Sequence, residues 1–406
     1  MTGPAAAPPA IGPDDVSRWR ADTPGATRRH HLNNAGAALQ PRPVLDAVRQ
    51  HLELESEIGG YEAAAAAQAR LDDAYRAVAA LVAARPHNIA ITSSATAAYG
   101  VALSAFDLAP GDAIVTTRAD YLSNRIMFES LAARRGVRLL EAADLPSGGV
   151  DPDSVRALVR AERPRLVAAT WVPTFGGMVQ RVEDVGAVCA AEDVPYLVDA
   201  CQAVGQLVVD FAAVKCDFLA ATARKFLRGP RGIGFLAVSD GAIERKLHPL
   251  LPDMRGASWE APGRYRLYDG ARRFEQWEQP LALVIGMGAA ARYAVEVGVA
   301  RASARAHGLA ADVRARLGAI PRVRCLDRAE RLSAIASFEC EGIEAGAVVR
   351  ALRERGVNTS SQGVDENAVA LGRLGAASLL RVSPHYYNGD ADLDAVEAAL
   401  RDLVRP

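Results

Sequence analysis

The 406-residue sequence has few cysteines and no long uninterrupted apolar run. Its five cysteines are odd in number and lack CxxC spacing, which is typical of buried thiols in a reducing compartment rather than of a disulfide framework. No apolar run reaches the ~20 residues that a membrane helix needs. The opening residues MTGPAAAPPAIGPDD lack the charged and apolar regions of a signal peptide. These absences predict a soluble cytoplasmic protein with no membrane partner.

The sequence also has almost no net charge. Its 47 lysines and arginines offset 48 acidic residues, which leaves a formal charge of −1 at pH 7. This balance excludes a broadly basic nucleic-acid-binding protein and a polyacidic disordered chain, so we expect no nucleic-acid partner. A chain of this length buries roughly three-quarters of its unfolded surface and needs no structural metal to fold.

Several motifs of catalysis are missing as well. There is no Walker loop, no GxSxG elbow and no HExxH, and the seven histidines lack metal-ligand spacing, so no metal is predicted. Gly286–Ala291 matches GxGxxA, but the apolar periodicity continues as a helix through Tyr293 and Val297. We therefore interpret these small residues as a helix-packing surface.

Short apolar β-type runs alternate with segments of helical periodicity as far as about residue 240. This alternation predicts an α/β fold with a mostly parallel sheet covered by helices on both faces. Ligands of such sheets bind beyond the carboxyl ends of the strands. The expected strands are Ile89–Thr92, Ala113–Thr117, Arg138–Glu141, Leu166–Thr170, Tyr196–Val198, Phe218–Ala220 and Gly234–Val238.

The composition divides the chain into three predicted regions. An Ala/Pro-rich N-terminal arm occupies residues 1–31, and a large domain covers 32–280. A smaller C-terminal α+β domain covers 281–406 and begins with a long helix from about Pro280 to Ala306.

An acid and a lysine fall at the ends of neighbouring predicted strands. Asp199 follows one strand, and Lys225, one of only three lysines in the sequence, follows the next one. Such a pair suits the two ends of pyridoxal 5'-phosphate (PLP). The lysine forms an imine with its aldehyde, and the aspartate keeps the pyridine nitrogen protonated. Taken alone, the pair is weak evidence, because such a pair is more often a structural ion pair.

Three segments resemble the aminotransferase class V family, which includes cysteine desulfurases, carbon–sulfur lyases, kynureninases and isopenicillin-N-epimerase-like enzymes. They are Asp199–Gly205, Thr222–Lys225 with the following GPRGIG loop, and Arg381–Asn388. The similarity runs from about Leu32 to the C-terminus. It implies the PLP-dependent transferase fold type I, with a large PLP-binding domain and a smaller C-terminal domain. It also implies PLP as cofactor, an amino-acid substrate and a homodimer with active sites near the subunit interface.

The resemblance assigns a cofactor role to each matching residue. Lys225 would be the Schiff-base lysine, Asp199 the partner of the pyridinium nitrogen, and Gln202 a neighbour of the phenolic oxygen. Tyr121 would stack on the ring. The remaining cofactor contacts, several of them to the phosphate, would come from Ser94, Ala95, Thr96, Thr174, Thr222 and Arg224.

The resemblance also implies a set of substrate contacts. Arg381 would bind the α-carboxylate of the substrate through a bidentate pair of hydrogen bonds. Tyr61, beside a glycine hinge, would be a mobile catalytic residue that closes over the substrate, unless it is an ordinary buried tyrosine in a turn. The other substrate-binding residues would be Asn34, Ser360 and Ser361. Tyr61 or one of the two serines is the candidate proton donor to the leaving group.

Departures from the family pattern indicate the reaction. Cysteine desulfurases carry a nucleophilic cysteine shortly before the carboxylate-binding arginine, but this sequence has no cysteine after Cys340. The segment Arg273–Glu278 reads RFEQWE where the family has Arg-Phe-Glu-x-Gly-Thr, by which a neighbouring subunit reaches the phosphate. This variant and Glu57–Tyr61 are similar to lyases that cleave cysteine S-conjugates or their sulfoxides.

We therefore predict a PLP-dependent lyase that performs β-elimination with C–S bond cleavage. An aminotransferase, an epimerase and a decarboxylating oxidative deaminase remain alternatives on the same scaffold. A non-catalytic relative is a further alternative, but the intact Lys225, Asp199 and Arg381 argue against it.

Overall fold

The computed structural model describes residues 11–405, and the side chains of 366–370 are not included in the description. The strands in this part of the chain are β1 (His30–His31), β2 (Ile89–Thr92), β3 (Ala113–Thr117), β4 (Arg138–Ala142), β5 (Leu166–Thr170), β6 (Tyr196–Asp199), β7 (Phe218–Thr222), β8 (Gly234–Val238), β9 (Ala257–Ala261), β10 (Arg264–Leu267), β11 (Val323–Cys325), β12 (Ala336–Cys340), β13 (Val357–Asn358), β14 (Ser360–Gly363) and β15 (Ser378–Val382).

The α-helices in the same residues are α1 (Pro13–Ala21), α2 (Asn34–Ala37), α3 (Arg42–Ile58), α4 (Gly60–Ala66), α5 (Gln68–Leu81), α6 (Ala95–Leu103), α7 (Leu122–Arg135), α8 (Pro152–Glu162), α9 (Val182–Ala191), α10 (Phe211–Val214), α11 (Asp240–Glu244), α12 (Leu281–Val297), α13 (Val299–Gly318), α14 (Ala345–Glu354), α15 (Val364–Leu374) and α16 (Asp390–Leu403).

The central sheet has seven strands in the order β2-β8-β7-β6-β5-β3-β4. Only β8 runs antiparallel to its neighbours, β2 and β7. The strands β3, β5, β7 and β8 are buried along their whole length, because helices cover both faces of the sheet. The predicted α/β fold class is therefore confirmed, and each predicted strand of this sheet is present. The strands β6 and β7 extend beyond the prediction to end on Asp199 and Thr222.

A smaller antiparallel sheet, in the order β11-β12-β15-β14, forms the second core with α13, α14 and α16. The long helix predicted from about Pro280 to Ala306 is wrong in one respect. It is broken at Gly298, whose φ of 86° is outside the helical region, and α12 and α13 meet at a bend of 81°.

Helix α12 packs in the core of the large sheet. A Cβ at Gly288 would lie 2.6 Å from the Cα of Ala74 on α5, so the small residues of the GxGxxA match allow close helix packing, as predicted. The division of domains at residues 280 and 281 stays a prediction.

The segment before α3 packs against the C-terminal part of the chain. Trp19 and Ala26 share a hydrophobic cluster with Tyr386 and Tyr387. Strand β1 pairs in parallel with β13, and Leu32 is buried in the core of the smaller sheet. Residues 1–10 of the predicted arm lie outside the described residues.

In the described part of the chain, no single helix is both long and apolar enough to cross a membrane. Only α12 and α13 taken together pass that test of length and composition, and they are sharply bent. The same residues contain no group of three or more His, Cys, Asp or Glu side chains arranged to hold a metal ion.

Candidate active site

A cavity of about 260 Å³ lies beyond the carboxyl ends of β5, β6 and β7, next to the N-terminus of α6. The parallel strands carry their last residues to the same edge of the sheet, which is why side chains distant in sequence meet there. All ten predicted cofactor residues line this cavity: Ser94, Ala95, Thr96, Tyr121, Thr174, Asp199, Gln202, Thr222, Arg224 and Lys225. The structure thus brings these residues together, while their individual roles stay predictions.

The Asp199 carboxylate is held in place by two hydrogen bonds. Asn124 Nδ2 donates to one oxygen at 3.0 Å, and the backbone N–H of Cys201 donates to the other at 2.9 Å. Asn124 also donates to the carboxylate of Asp120 at 3.1 Å, and the Thr170 hydroxyl donates to it at 2.6 Å. Burial raises the pKa of Asp120. Asn124 is therefore a hydrogen-bond donor shared by the Asp199 and Asp120 carboxyl groups.

Lys225 is buried beside the aromatic ring of Tyr121. Its Nζ lies 5.9 Å from the ring centroid, and only 6% of the residue is exposed. Burial lowers the pKa of Lys225, while nearby Cys201 and Asp199 act in the opposite direction. The lowered pKa makes it easier for Lys225 to lose a proton and become the neutral amine, which is the form that acts as nucleophile and base.

The turn that carries Lys225 is fixed by Arg228. The backbone N–H of Arg228 donates to Lys225 O at 2.8 Å, and Arg228 itself has a left-handed φ of 62°. Its buried guanidinium donates to Thr23 Oγ1, Leu39 O and the Tyr386 hydroxyl at 2.5, 2.9 and 2.7 Å. We call this arrangement the Arg228 cage. It joins the lysine turn to both the N-terminal and the C-terminal parts of the chain.

The residues of the cavity fit PLP. At one end, the Ser94 hydroxyl caps α6 by accepting from Ala97 N at 3.0 Å, and N–H groups at a helix N-terminus suit a phosphate. At the other end is Asp199. Between them, Gln202 donates to Ala35 O at 3.1 Å, while its buried Oε1 has no hydrogen-bond partner among the described residues. A buried polar atom left unpaired in this way indicates a ligand that is bound there.

Arg381 and Ser360 lie together, as predicted for substrate contacts. Arg381 donates from Nε to Ser360 Oγ at 3.0 Å and from Nη1 to Thr174 O at 2.7 Å. Ser360 is opposite Arg381 in the pairing of β14 with β15. Ser361 is opposite Leu380, and because side chains alternate along a strand, it points to the other face of the sheet. The structure therefore does not bring Ser361 to Arg381.

Tyr61 and Asn34, like Arg381, Ser360 and Ser361, are not among the residues that line the cavity. The Tyr61 side chain, in the first turn of α4, is 82% exposed. Asn34 is fully buried, where its Nδ2 donates to Ser383 O at 2.8 Å and its Oδ1 accepts from the Tyr387 hydroxyl at 2.6 Å. These bonds give the Asn34 side chain a structural role, and the roles of both residues toward a substrate stay predictions.

Sequence reasoning gave no role to several residues that line the cavity. Two of them could have been found from the sequence. Asn124 is three residues after Tyr121, a spacing that puts both on one helix face. Thr170 is the last residue of a predicted strand. The full set is Asn124, Thr170, Val172, Cys201, Arg231 and Gly232.

A buried lysine and a buried acid at the ends of adjacent parallel strands, beside a helix N-terminus, are the arrangement of a fold-type-I PLP-dependent enzyme. The profile of the aminotransferase class-V family matches residues 30–396. The chain therefore belongs to the aminotransferase class-V family. This membership confirms the predicted family, the fold class and PLP as the cofactor.

Curated relatives align over nearly the whole chain. A probable hercynylcysteine sulfoxide lyase of Mycobacterium tuberculosis is 31% identical over 389 residues, which cover 95% of this chain and 92% of that protein. A probable cysteine desulfurase of Methanothermobacter thermautotrophicus is 26% identical, with coverage of 96% and 98%.

Solved structures agree with the fold. The apo cysteine desulfurase of Thermococcus onnurineus superposes with a TM-score of 0.87 at 24% identity, covering 98% of this chain and 99% of that one. The cystine C–S lyase C-DES, solved with its reaction product cysteine persulfide, gives a TM-score of 0.83 at 22% identity and covers 94% and 99%. At these identities the likeness is one of fold.

Proposed function

We propose that the protein is a PLP-dependent carbon–sulfur lyase that performs β-elimination on a cysteine S-conjugate or its sulfoxide. The relative named as a probable hercynylcysteine sulfoxide lyase supports this class of substrate. Other relatives are named as cysteine desulfurases, so the proposal depends on what distinguishes a lyase from a desulfurase.

The observation that carries the proposal is the lack of a thiol nucleophile near Arg381. The strand paired with β15 beside Arg381 is β14, whose residues are two serines, a glutamine and a glycine. Cys201 is the one cysteine that lines the cavity, and burial raises its pKa well above the ordinary value, so it is a protonated thiol. Accepting sulfur from a substrate requires a thiolate, whereas elimination requires only a base.

When bound, PLP supplies an aldehyde that reacts with amines and a ring that withdraws electrons from the substrate Cα. Lys225 accepts the Cα proton at Nζ, and burial lowers the pKa of this amine. As this proton leaves, the Cβ–S bond breaks and its electron pair departs with sulfur. The remaining aminoacrylate takes up one water to give pyruvate and ammonium.

Other side chains orient the reacting groups. Arg381 binds the α-carboxylate by charge-assisted hydrogen bonds, and its own orientation is fixed by Thr174 O and Ser360 Oγ. Asn124 and the Cys201 N–H fix the Asp199 carboxylate, which keeps it aimed at the cavity. Tyr121 covers the space in front of Lys225.

The test is an assay of the PLP-loaded protein with a panel of cysteine S-conjugates and S-oxides in deuterated water. We expect one equivalent of pyruvate for each thiol or sulfenate released. Deuterium at Cα without pyruvate would instead establish an epimerase. A keto acid that retains the side chain would establish an aminotransferase, and an aldehyde with loss of carbon dioxide a decarboxylating oxidative deaminase.

We also propose that the active unit is a homodimer. In the hairpin of β9 and β10, Tyr265 is paired with Trp259, and the two side chains are 50% and 74% exposed. Large apolar side chains grouped on one surface favour a protein–protein contact. Sedimentation analysis tests this, since Trp259→Ser should shift a dimer toward the monomer, whereas an unchanged monomer in both forms would contradict it.

A further inference from the structure

Two arginines, Arg224 and Arg231, line the cavity together with the first residues of α6. Arg224 directly precedes Lys225 and donates to Gly36 O. Arg231 lies in the loop Gly229–Gly234, is exposed on its outer side, and has no ion pair or hydrogen bond among the described residues. An arginine on the wall of a cavity without a protein partner is available to a ligand.

The backbone fixes this loop against the start of α6. A Cβ at Gly234 would lie 2.5 Å from Ala221 O and 3.0 Å from Ala95 N, so only glycine allows β8 to begin this close to the helix. Arg231 is three residues before Gly234. The loop that carries Arg231 therefore leads directly to the N-terminus of α6.

The two guanidinium groups lie close enough to repel each other. Burial lowers the pKa of Arg224, and the charge of Arg231 lowers it further. Among the described residues that line the cavity, the one carboxylate is that of Asp199, which accepts hydrogen bonds from Asn124 and the Cys201 N–H. Two cations beside a helix N-terminus produce a positive potential that an anion of two charges would neutralise.

We propose that Arg224 and Arg231 form a two-arginine clamp on the phosphate of PLP, completing the site at the N-terminus of α6 from within the same chain. This proposal depends on the cofactor and not on the proposed lyase reaction, so an experiment can contradict the clamp without contradicting the reaction. Guanidinium groups bind phosphate oxygens through paired N–H donors, which makes two of them a strong site for a phosphate monoester.

The test compares PLP with pyridoxal, which lacks the phosphate. Equilibrium titration of the cofactor-depleted protein, followed by absorbance, gives a Kd for each compound. We expect Arg231→Met to weaken PLP about tenfold or more (at least about 1.4 kcal/mol) and to leave the Kd of pyridoxal unchanged. Arg231→Lys should recover part of the PLP affinity, because it keeps the charge but not the fork. Arg156→Met, on the exposed surface of α8, serves as the matched control.

Two outcomes would overturn the clamp. One is an unchanged PLP Kd in Arg231→Met, and a raised KM in the same variant would then assign Arg231 to an anionic group of the substrate. The other is an equal loss for PLP and pyridoxal, which would indicate a distorted cavity. Because Arg231 is exposed, its substitution leaves the hydrophobic core intact. In the double variant that also carries Arg224→Met, the losses of PLP affinity should not be additive.

Discussion

At the scale of single residues, the lysines give the sharpest test, because the chain has only Lys215, Lys225 and Lys246. Lys225 is buried in the cavity, whereas the other two are exposed. We expect Lys225→Ala to abolish turnover and the visible absorbance of the lysine-bound cofactor, since no other amine lines the cavity. Lys215→Ala and Lys246→Ala are the controls and should keep both properties. Turnover that survives in Lys225→Ala would contradict the assignment.

Asn124 supplies a second prediction at this scale. Asn124→Ala removes the donor shared by Asp199 and Asp120, so each carboxyl group loses one hydrogen bond, although Asp199 keeps the Cys201 N–H and Asp120 keeps the Thr170 hydroxyl. We expect the free energy of unfolding to fall by about 1–3 kcal/mol, the usual contribution of hydrogen bonds to charged groups. Urea unfolding measures this loss. A variant as stable as the wild type would mean that the two carboxyl groups find other donors.

Most residues of the site could be predicted because strand ends meet at one edge of a parallel sheet. Asp199, Thr222 and Lys225 follow directly from that rule and from the family motifs. The Arg228 cage could not be predicted, because its partners Thr23 and Tyr386 are more than 150 residues away in sequence and no local pattern links them.

At the scale of elements, the Arg228 cage joins the turn after β7 to the segment before α3 and to the residues after β15. Arg228→Met should lower the free energy of unfolding by on the order of 3 kcal/mol, because Leu39 O and the hydroxyls of Thr23 and Tyr386 lose a charged donor. Thermal unfolding of the apo protein tests this. Arg228→Lys should recover part of the loss, and equal stability of all three forms would show that the cage contributes nothing.

The elements also show where a sequence pattern stops being informative. The strands of the central sheet could be predicted because each is a short apolar run between polar turns. The break between α12 and α13 was missed because the alanine-rich periodicity is the same on both sides of Gly298. Only the packing of α12 against α5, and of α13 against the second sheet, decides that the chain must turn there.

At the scale of the whole molecule, two histidines make stability depend on pH. Burial lowers the pKa of His385 to about 3 and that of His307 to about 4. The unfolded chain binds protons at both histidines below about pH 6.5, whereas the folded protein does not until lower pH. The free energy of unfolding should therefore fall as the pH drops from 6.5 to 4, by about 1.4 kcal/mol per pH unit for each histidine.

Urea unfolding at several pH values measures this slope. His307→Gln should make it shallower by about 1.4 kcal/mol per pH unit, because one of the two proton-binding groups is gone. Identical slopes for the variant and the wild type would contradict the assignment of His307.

The docking of the N-terminal segment on the C-terminal part of the chain has a consequence for synthesis. His30–His31 pair with Val357–Asn358, and Asn34 bonds to Ser383, so these early residues leave the ribosome more than 300 residues before their partners. The seven-stranded sheet can assemble while they are still unpaired. The segment that precedes α3 is thus made before the central sheet and is among the last parts to reach its final contacts.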